Sequence, residues 1–324
     1  MSRFAALAER HQVMLYLVAI GAGILGGWFL PGARIAEVAI EPALGLLLFA
    51  TFLSVPFDRL GAAWTDLRFL GSLSVLNFVL VPLIVFGLSR FVAADRALLV
   101  GMLLVLLAPC VDYVIVFSRL VGGSADKLLA VTPLLMIGQL VLLPVCFVLF
   151  LGPSAVAMID PQPFLRAFCL LILLPLAAAA VVQRLRLGLA RQLEELMQAA
   201  MVPLLMITLA TVVGSQIRGV GERLGQLWQV VCVYAAFVVI MNLIGLATAR
   251  MARLPAADGR ALIFSGVTRN SLVVLPLALA LPQSLSMAPL VVVTQTLVEL
   301  VAMVIMVRLL PRVLPERRPR VSSD

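Results

Sequence analysis

Residues 97–120 read ALLVGMLLVLLAPCVDYVIVFSRL, and residues 260–281 read RALIFSGVTRNSLVVLPLALAL. Each stretch has the length of a membrane-crossing helix, near ~20 residues, yet carries polar groups at its centre. In the first, Pro109 lacks an N–H and its ring collides with the preceding turn. A helix through Ala108-Pro109-Cys110-Val111-Asp112-Tyr113 therefore kinks or breaks. In the second, Gly266-Val267-Thr268-Arg269-Asn270-Ser271 is too polar to face hydrocarbon. Interrupted apolar helices of this kind belong to membrane proteins that line a pathway with irregular backbone.

The composition around these stretches agrees. The chain has 324 residues, 63% hydrophobic and 12% charged, and a mean hydropathy of +1.15. Soluble domains run at roughly 45–50% apolar and about 25% charged, so lipid must solvate this surface. Apolar stretches fall at 13–30, 38–57, 69–90, 97–120, 127–151, 164–182, 197–216, 225–249, 260–281 and 286–309. They predict an all-α polytopic membrane protein of about ten helices. Period-two alternation is missing, which argues against a barrel. Arg3 and Arg10 ahead of an apolar run resemble a secretory leader, but Val13–Leu30 is long enough to span and reads as a retained first helix.

The net charge of +8 suggests nucleic acid only at first sight. No basic patch interleaved with aromatics is present, and the basic residues sit between the spans. Seventeen of the 24 Lys and Arg fall on the side of the N terminus and six on the other, with Arg269 inside a span. The bias places both termini in the cytoplasm of a cell (inner) membrane.

The longest polar gap, 152–163, divides the spans into two sets of five. An odd number per set makes the second set enter from the opposite face, an inverted repeat. The expected organisation is a first repeat over 1–151, an extracytoplasmic connection over 152–163, a second repeat over 164–310 and a cytoplasmic tail over 311–324. Pro133-Leu134 with Gln139 matches Pro289-Leu290 with Gln295 at equal spacing, and Asn77 and Asn242 both lie mid-span. The fourth span of each set is the interrupted one. Paired interruptions in corresponding helices point to a transporter's binding site.

Asp112, Arg269 and Glu299 are the ionisable residues deep in spans; Glu37 and Glu41 lie near a helix end. Such residues are costly in lipid and mark pathways or coupling sites, the plainer reading being an ion pair that locks helices. Cys146, Cys169 and Cys232 read as small buried hydrophobes, and the absence of a CxxC pair indicates neither a disulfide framework nor a zinc site. No cofactor is expected. The single histidine, His11, precedes the first span, which excludes an HExxH metalloprotease and a serine–histidine dyad within the membrane. An aspartyl protease needs two deep Asp residues, and no channel filter motif is present.

At the two interrupted segments the chain resembles the bile acid/sodium symporter and arsenite permease superfamily. The resemblance implies ten spans in inverted five-helix repeats, with the fourth and ninth unwound where they cross. Leu107-Ala108-Pro109-Cys110 resembles the Ala-Pro-Cys of arsenite permeases, which makes Cys110 the candidate thiol; trivalent arsenic is soft and favours thiolate. Asn270-Ser271 resembles the Gln-Asn-Ser of the symporter branch. Ser265 and Arg269 stand where that branch has a sodium-binding Glu and the Gln, and Leu272 stands where arsenite permeases have an acidic residue. Asp112 is the usual residue of neither. The Arg-Asn-Ser-Leu-Val-Val-Leu-Pro run is similar to a divergent branch labelled arsenical resistance.

The expected function is a secondary transporter, an antiporter exporting arsenite or a related arsenical against protons. The alternative is a sodium-independent transporter of small organic anions gripped by Arg269. Substrate contacts are expected from Pro109, Cys110, Asp112, Tyr113, Thr268, Arg269, Asn270 and Ser271, coupling from Asp112, Arg269 and Glu299, and support from Asn77, Gln139 and Gln295. If Asp112 is a proton-linked switch paired alternately with Arg269, Asp112→Asn folds and binds substrate but its flux ignores a pH gradient. If the two form a static pair, the same change costs about 3–5 kcal/mol. Well-expressed Asp112→Asn with unchanged proton-driven flux moves the coupling role to Glu299.

Overall fold

The computed structural model describes residues 12–29, 37–53, 66–111, 113–152, 162, 166, 169–185 and 188–315. Among them the regular structure is helical throughout. In chain order the α-helices are α1 Gln12–Phe29, α2 Glu37–Leu53, α3 Leu67–Val75, α4 Val81–Ser89, α5 Arg96–Leu106, α6 Tyr113–Leu120 and α7 Ala125–Leu151. After them come α8 Leu174–Leu185, α9 Gly188–Glu222, α10 Leu224–Met251, α11 Ala256–Val267, α12 Ser271–Leu279 and α13 Ala288–Val313.

Among the described residues, five helical stretches are long and apolar enough to cross a membrane: Leu67–Val92, Leu134–Leu151, Ala199–Glu222, Leu224–Met251 and Gln283–Val313. Met14–Phe29, Pro42–Leu53, Arg96–Leu106 and Leu174–Arg184 are apolar but shorter. Where the sequence reads continuous stretches at 97–120 and 260–281, the helices are cut into pieces individually too short to span. Glu37 and Glu41 sit on α2, but their side chains lie outside what is described.

The helices form two layers. In one, α1 and α2 pack on α9, and α8 packs on α2. In the other, α10 packs on α11 and α13, α5 on α13, and α6 on α7 and α11. The layers meet where α9 runs against α13 and α12 against α2. Close approach of α1 and α9 depends on small residues, as expected where lipid supplies no hydrophobic drive for helix association. A Cβ at Gly23 would lie 2.6 Å from the Ala210 carbonyl oxygen, and one at Gly27 would collide with the Gly214 carbonyl.

Two π-helical turns share a cause. Leu76–Leu80 precedes α4, whose second residue is Pro82, and Cys169–Leu173 precedes α8, whose second residue is Pro175. A proline cannot donate to the carbonyl four residues back, so the turn ahead of it widens. The first of these turns carries Asn77 into the core.

Among the cysteines, Cys110 and Cys146 are buried whereas Cys169 and Cys232 are exposed. This corrects the expectation that both are buried. On an apolar helix every face is hydrophobic, so composition cannot separate a lipid-facing side from a packed one.

An ionic clasp joins three elements at one end of the second layer. Lys127 Nζ donates to Asp66 Oδ2 at 2.5 Å and Asp258 Oδ2 at 2.8 Å, and Ser124 Oγ donates to Asp258 Oδ1 at 2.5 Å. Nearby, Arg260 donates to the carbonyls of Val121 at 2.6 Å and Leu314 at 2.8 Å. Hydrogen bonding from Lys127, then from the Phe69 N–H, holds Asp66 below its ordinary 3.8. Burial works against the charge of Lys127, but Asp258 and Asp66 outweigh it and raise its pKa above 10.5. The contribution of Asp66 is therefore present above about pH 3.8 and lost as pH falls further; that of Lys127 is present below about pH 10.5 and lost as pH climbs beyond. Both hold across the neutral range. Lys127→Met leaves the 5%-exposed Asp258 without its cation. Because Lys127 and Asp66 are 37% and 33% exposed, solvent screening reduces the cost to about 1–3 kcal/mol. Thermal unfolding in detergent at neutral pH checks this against Arg119→Met, whose partnership with Asp126 is at the surface and should change little.

Candidate functional site

The helix ending at Leu106 gives way to residues 107–111, which are not helical, and α6 begins at Tyr113. Pro109 has no N–H to return to the carbonyl of Val105 and ends the ladder there. In the other interrupted segment α11 stops at Val267, Thr268 is extended (φ −82°, ψ 139°), and α12 begins at Ser271. The two irregular segments meet as an antiparallel bridge between Pro109 and Arg269, and the Asn270 N–H donates to the Ala108 carbonyl at 2.8 Å.

The turn at Thr268 carries the N–H groups of Arg269 and Asn270 away from the carbonyls of Ser265 and Gly266. The side chain of Arg269 folds back and supplies the missing donors. Its Nη2 donates to Ser265 O at 2.5 Å, Gly266 O at 2.7 Å and Asn77 Oδ1 at 3.1 Å, and Nη1 lies 3.5 Å from Leu106 O. The guanidinium carbon sits 5.6 Å from the centre of the Phe237 ring on α10, within cation–π range. Arg269 is thus fully buried in a cage of neutral oxygens facing two helix C-termini. These are the negative ends of α5 and α11.

Asn77 is committed on all sides. Besides accepting from Arg269, its Nδ2 donates to Ser265 Oγ at 3.0 Å and Leu73 O at 3.1 Å. On α13, Glu299 Oε2 accepts the Arg269 backbone N–H at 2.8 Å and the Nε2 of Gln295, one turn away. Asn270 caps α12 by accepting the Val273 N–H at 3.2 Å. Among the described residues, Asn270 Nδ2, Ser271 Oγ and Gln295 Oε1 are buried without a hydrogen-bond partner. Buried polar groups are seldom left so, and three of them gather around one crossing.

Of the residues singled out in the sequence, the crossing brings together Pro109, Arg269, Asn270, Asn77, Glu299 and Gln295, with Cys110 and Ser271 buried beside them. Thr268 turns its hydroxyl onto Phe264 O at 2.7 Å. Tyr113 opens α6, and Asp112 lies outside the described residues. Gln139 is buried on α7, whereas Gln295 bonds at the crossing. Asn242, the sequence counterpart of Asn77, donates its Nδ2 to Val238 O at 2.8 Å within its own helix and, more weakly, to Met306 Sδ of α13 at 3.6 Å, away from the crossing. The acceptor role of the Leu106, Ser265 and Gly266 carbonyls has no sequence signal, because every residue has a carbonyl.

A cavity of about 600 Å³ opens between the layers, lined by Gln216, Arg218 and Glu222 of α9, Arg223 ahead of α10, Leu279 of α12 and Pro289 of α13. It touches the end of α12 remote from Asn270, so α12 connects the cavity to the crossing.

Replacing Asn77 strips an acceptor from a buried guanidinium, so Asn77→Leu should cost about 1–3 kcal/mol. Asn242→Leu should stay within about 0.5 kcal/mol. Comparing the two melting temperatures in detergent tests the assignment; equal losses would sink it.

A family model described as the Sodium Bile acid symporter family matches residues 41–222, more than half of the chain. The match takes in Asn77 and the Pro109-Cys110 segment and ends before Arg269. Curated proteins give no match to the chain.

Proposed function

The chain belongs to the sodium bile acid symporter family and is a membrane transporter; from that premise we propose that it is a secondary transporter that runs without sodium and takes a small oxyacid or its anion at the crossing. In this reading the chain has about ten spans in two inverted five-helix repeats, the interrupted fourth and ninth crossing at mid-membrane, and both termini cytoplasmic.

One observation carries the sodium independence. The oxygen cage of Leu106, Ser265, Gly266 and Asn77 is occupied by the guanidinium of Arg269. Carbonyl and amide oxygens at broken helices are what a hard monovalent cation coordinates. An arginine stays protonated in essentially any protein site, so it serves as a tethered cation that neither dissociates nor follows a gradient. This placement also turns the guanidinium toward backbone, so the gripping of an anion falls to the start of α12. There Asn270 Nδ2 and Ser271 Oγ stand ready as donors and the helix dipole favours negative charge.

Oxyacid is a class that holds both carboxylates and arsenite, and a specific observation favours each. The donors at the start of α12 suit a carboxylate. The buried thiol of Cys110, beside the bridge, suits proton-coupled export of arsenite or a related arsenical. Because a single thiol forms a single bond to arsenic, the geometry favours the carboxylate reading.

Reconstituted protein should move substrate equally well with sodium or potassium at constant pH and potential. The screen covers arsenite, methylated arsenicals and simple carboxylates under separate proton and sodium gradients. Flux that vanishes when potassium replaces sodium refutes the tethered-cation reading. Cys110→Ser should abolish arsenite flux if the thiol is the ligand, and leave carboxylate flux within about threefold, a change of less than ~1 kcal/mol.

A further inference from the structure

The pair Gln295–Glu299 contains an unusual commitment. With Gln295 Nε2 donating to Glu299 Oε2, the amide has turned its donor end to the carboxylate. Its acceptor Oε1 is left buried, without a partner among the described residues, at the same crossing that holds the unpartnered donors of Asn270 and Ser271, to which Glu299 joins it through the Arg269 N–H. A glutamine amide has a donor end and an acceptor end, and which faces the crossing depends on what Glu299 presents.

We infer that Glu299 and Gln295 tie a proton to each oxyacid bound at the crossing, with Gln295 as the residue that reads the protonation state. This rests on the crossing being the substrate site. When Glu299 is a carboxylate, Gln295 Oε1 faces the ligand and needs a donor, so the ligand binds as the acid, its O–H donating to Oε1. When Glu299 has taken up a proton, it does so on the Oε2 that faces Gln295; the O–H donates to Gln295 Oε1, and the same oxygen keeps a lone pair for the Arg269 N–H. The amide is then reversed, and Nε2 joins Asn270 Nδ2 and Ser271 Oγ as donors to the anion. Either arrangement holds a single proton per ligand, on the ligand in the first and on Glu299 in the second. A ligand carrying both a donor and an acceptor, a hydroxy acid or arsenite as the neutral acid, fits the unpartnered set in the first arrangement.

Around α13, α5 carries no charged or titratable side chain between Ala97 and Leu106, and α12 carries none. From α10 comes Tyr234, whose hydroxyl donates to Val291 O at 3.1 Å. Arg218 and Glu222 of α9 line the remote cavity, and Arg119 of α6 is exposed. Arg269 and Cys110 are the groups at the crossing itself; Asp112 lies outside the described residues. Arg269 is an obligate cation, which leaves Glu299 as the described carboxylate able to take the proton.

The test uses full-length protein in detergent at low buffer capacity, with lactate and arsenite as probes and thermal stabilisation reporting binding. Lactate, added above its own titration range, should draw a proton from solution, and its apparent affinity should fall about tenfold per pH unit. Glu299→Gln keeps an acceptor for the Arg269 N–H; it should bind lactate with no proton uptake and a flat pH profile. Gln295→Met retains the carboxylate and should lose the same slope, so the inference stays testable if Glu299→Gln fails to fold. Asp126→Asn, at the surface, should behave as wild type. Lactate binding without proton uptake, or uptake that survives in Glu299→Gln, overturns the inference and leaves the crossing as the substrate site. Stabilisation by neither probe overturns the substrate reading, and this inference with it.

Discussion

The crossing is organised by a shortage of hydrogen-bond partners. In a bilayer no water is at hand to satisfy a peptide group that leaves its helix, and each orphan costs several kcal/mol. Breaking α11 at Thr268 and α5 at Leu106 releases carbonyls and N–H groups together. The structure pairs them across the break: Ala108 O with the Asn270 N–H, Ser265 O and Gly266 O with the Arg269 guanidinium, and the Arg269 N–H with Glu299. The charge of Arg269 is thereby balanced by carbonyl dipoles, two helix C-termini and a nearby carboxylate. Remove the guanidinium, and the backbone has no reason to remain broken in this form.

Much of this was legible in the sequence, for stated physical reasons. Pro109 announces a break because it lacks a donor, and Gly266–Ser271 announces itself because polar residues are costly in lipid. Which partner each polar residue takes was not legible. Asn77 and Asn242 look alike in their spans, yet Asn77 lies in the widened turn ahead of Pro82 and reaches the crossing, and Asn242 does not. Gln139 and Gln295 share a motif, and only Gln295 has a carboxylate one turn further along its helix. Arg269 reads as a substrate clamp when carbonyls are invisible, and as a structural cation once they are seen.

Placing Arg269 in the cage also bears on how the protein can move. An alternating partnership between Arg269 and a carboxylate requires the guanidinium to leave Ser265 O and Gly266 O, stranding two carbonyls each time. The clasp of Lys127 with Asp66 and Asp258 further ties α3, α7 and α11 into one body at its end. The crossing therefore belongs to a rigid unit. Sliding is left to the boundary between the layers, where α9 meets α13 and α12 meets α2 and where the cavity of about 600 Å³ already opens.

Rigidity of the crossing constrains the coupling device in turn. A proton-linked step inside a fixed backbone must be carried by side chains that exchange hydrogen bonds in place. Rotating an amide about its last torsion swaps donor for acceptor without displacing any helix. Gln295 meets that requirement and Arg269 does not, because its donors are bound to the break itself. Loading of the site with an anion and its proton then leaves both its net charge and its shape as they were, so the rigid unit can carry the ligand without a change in the charge it encloses.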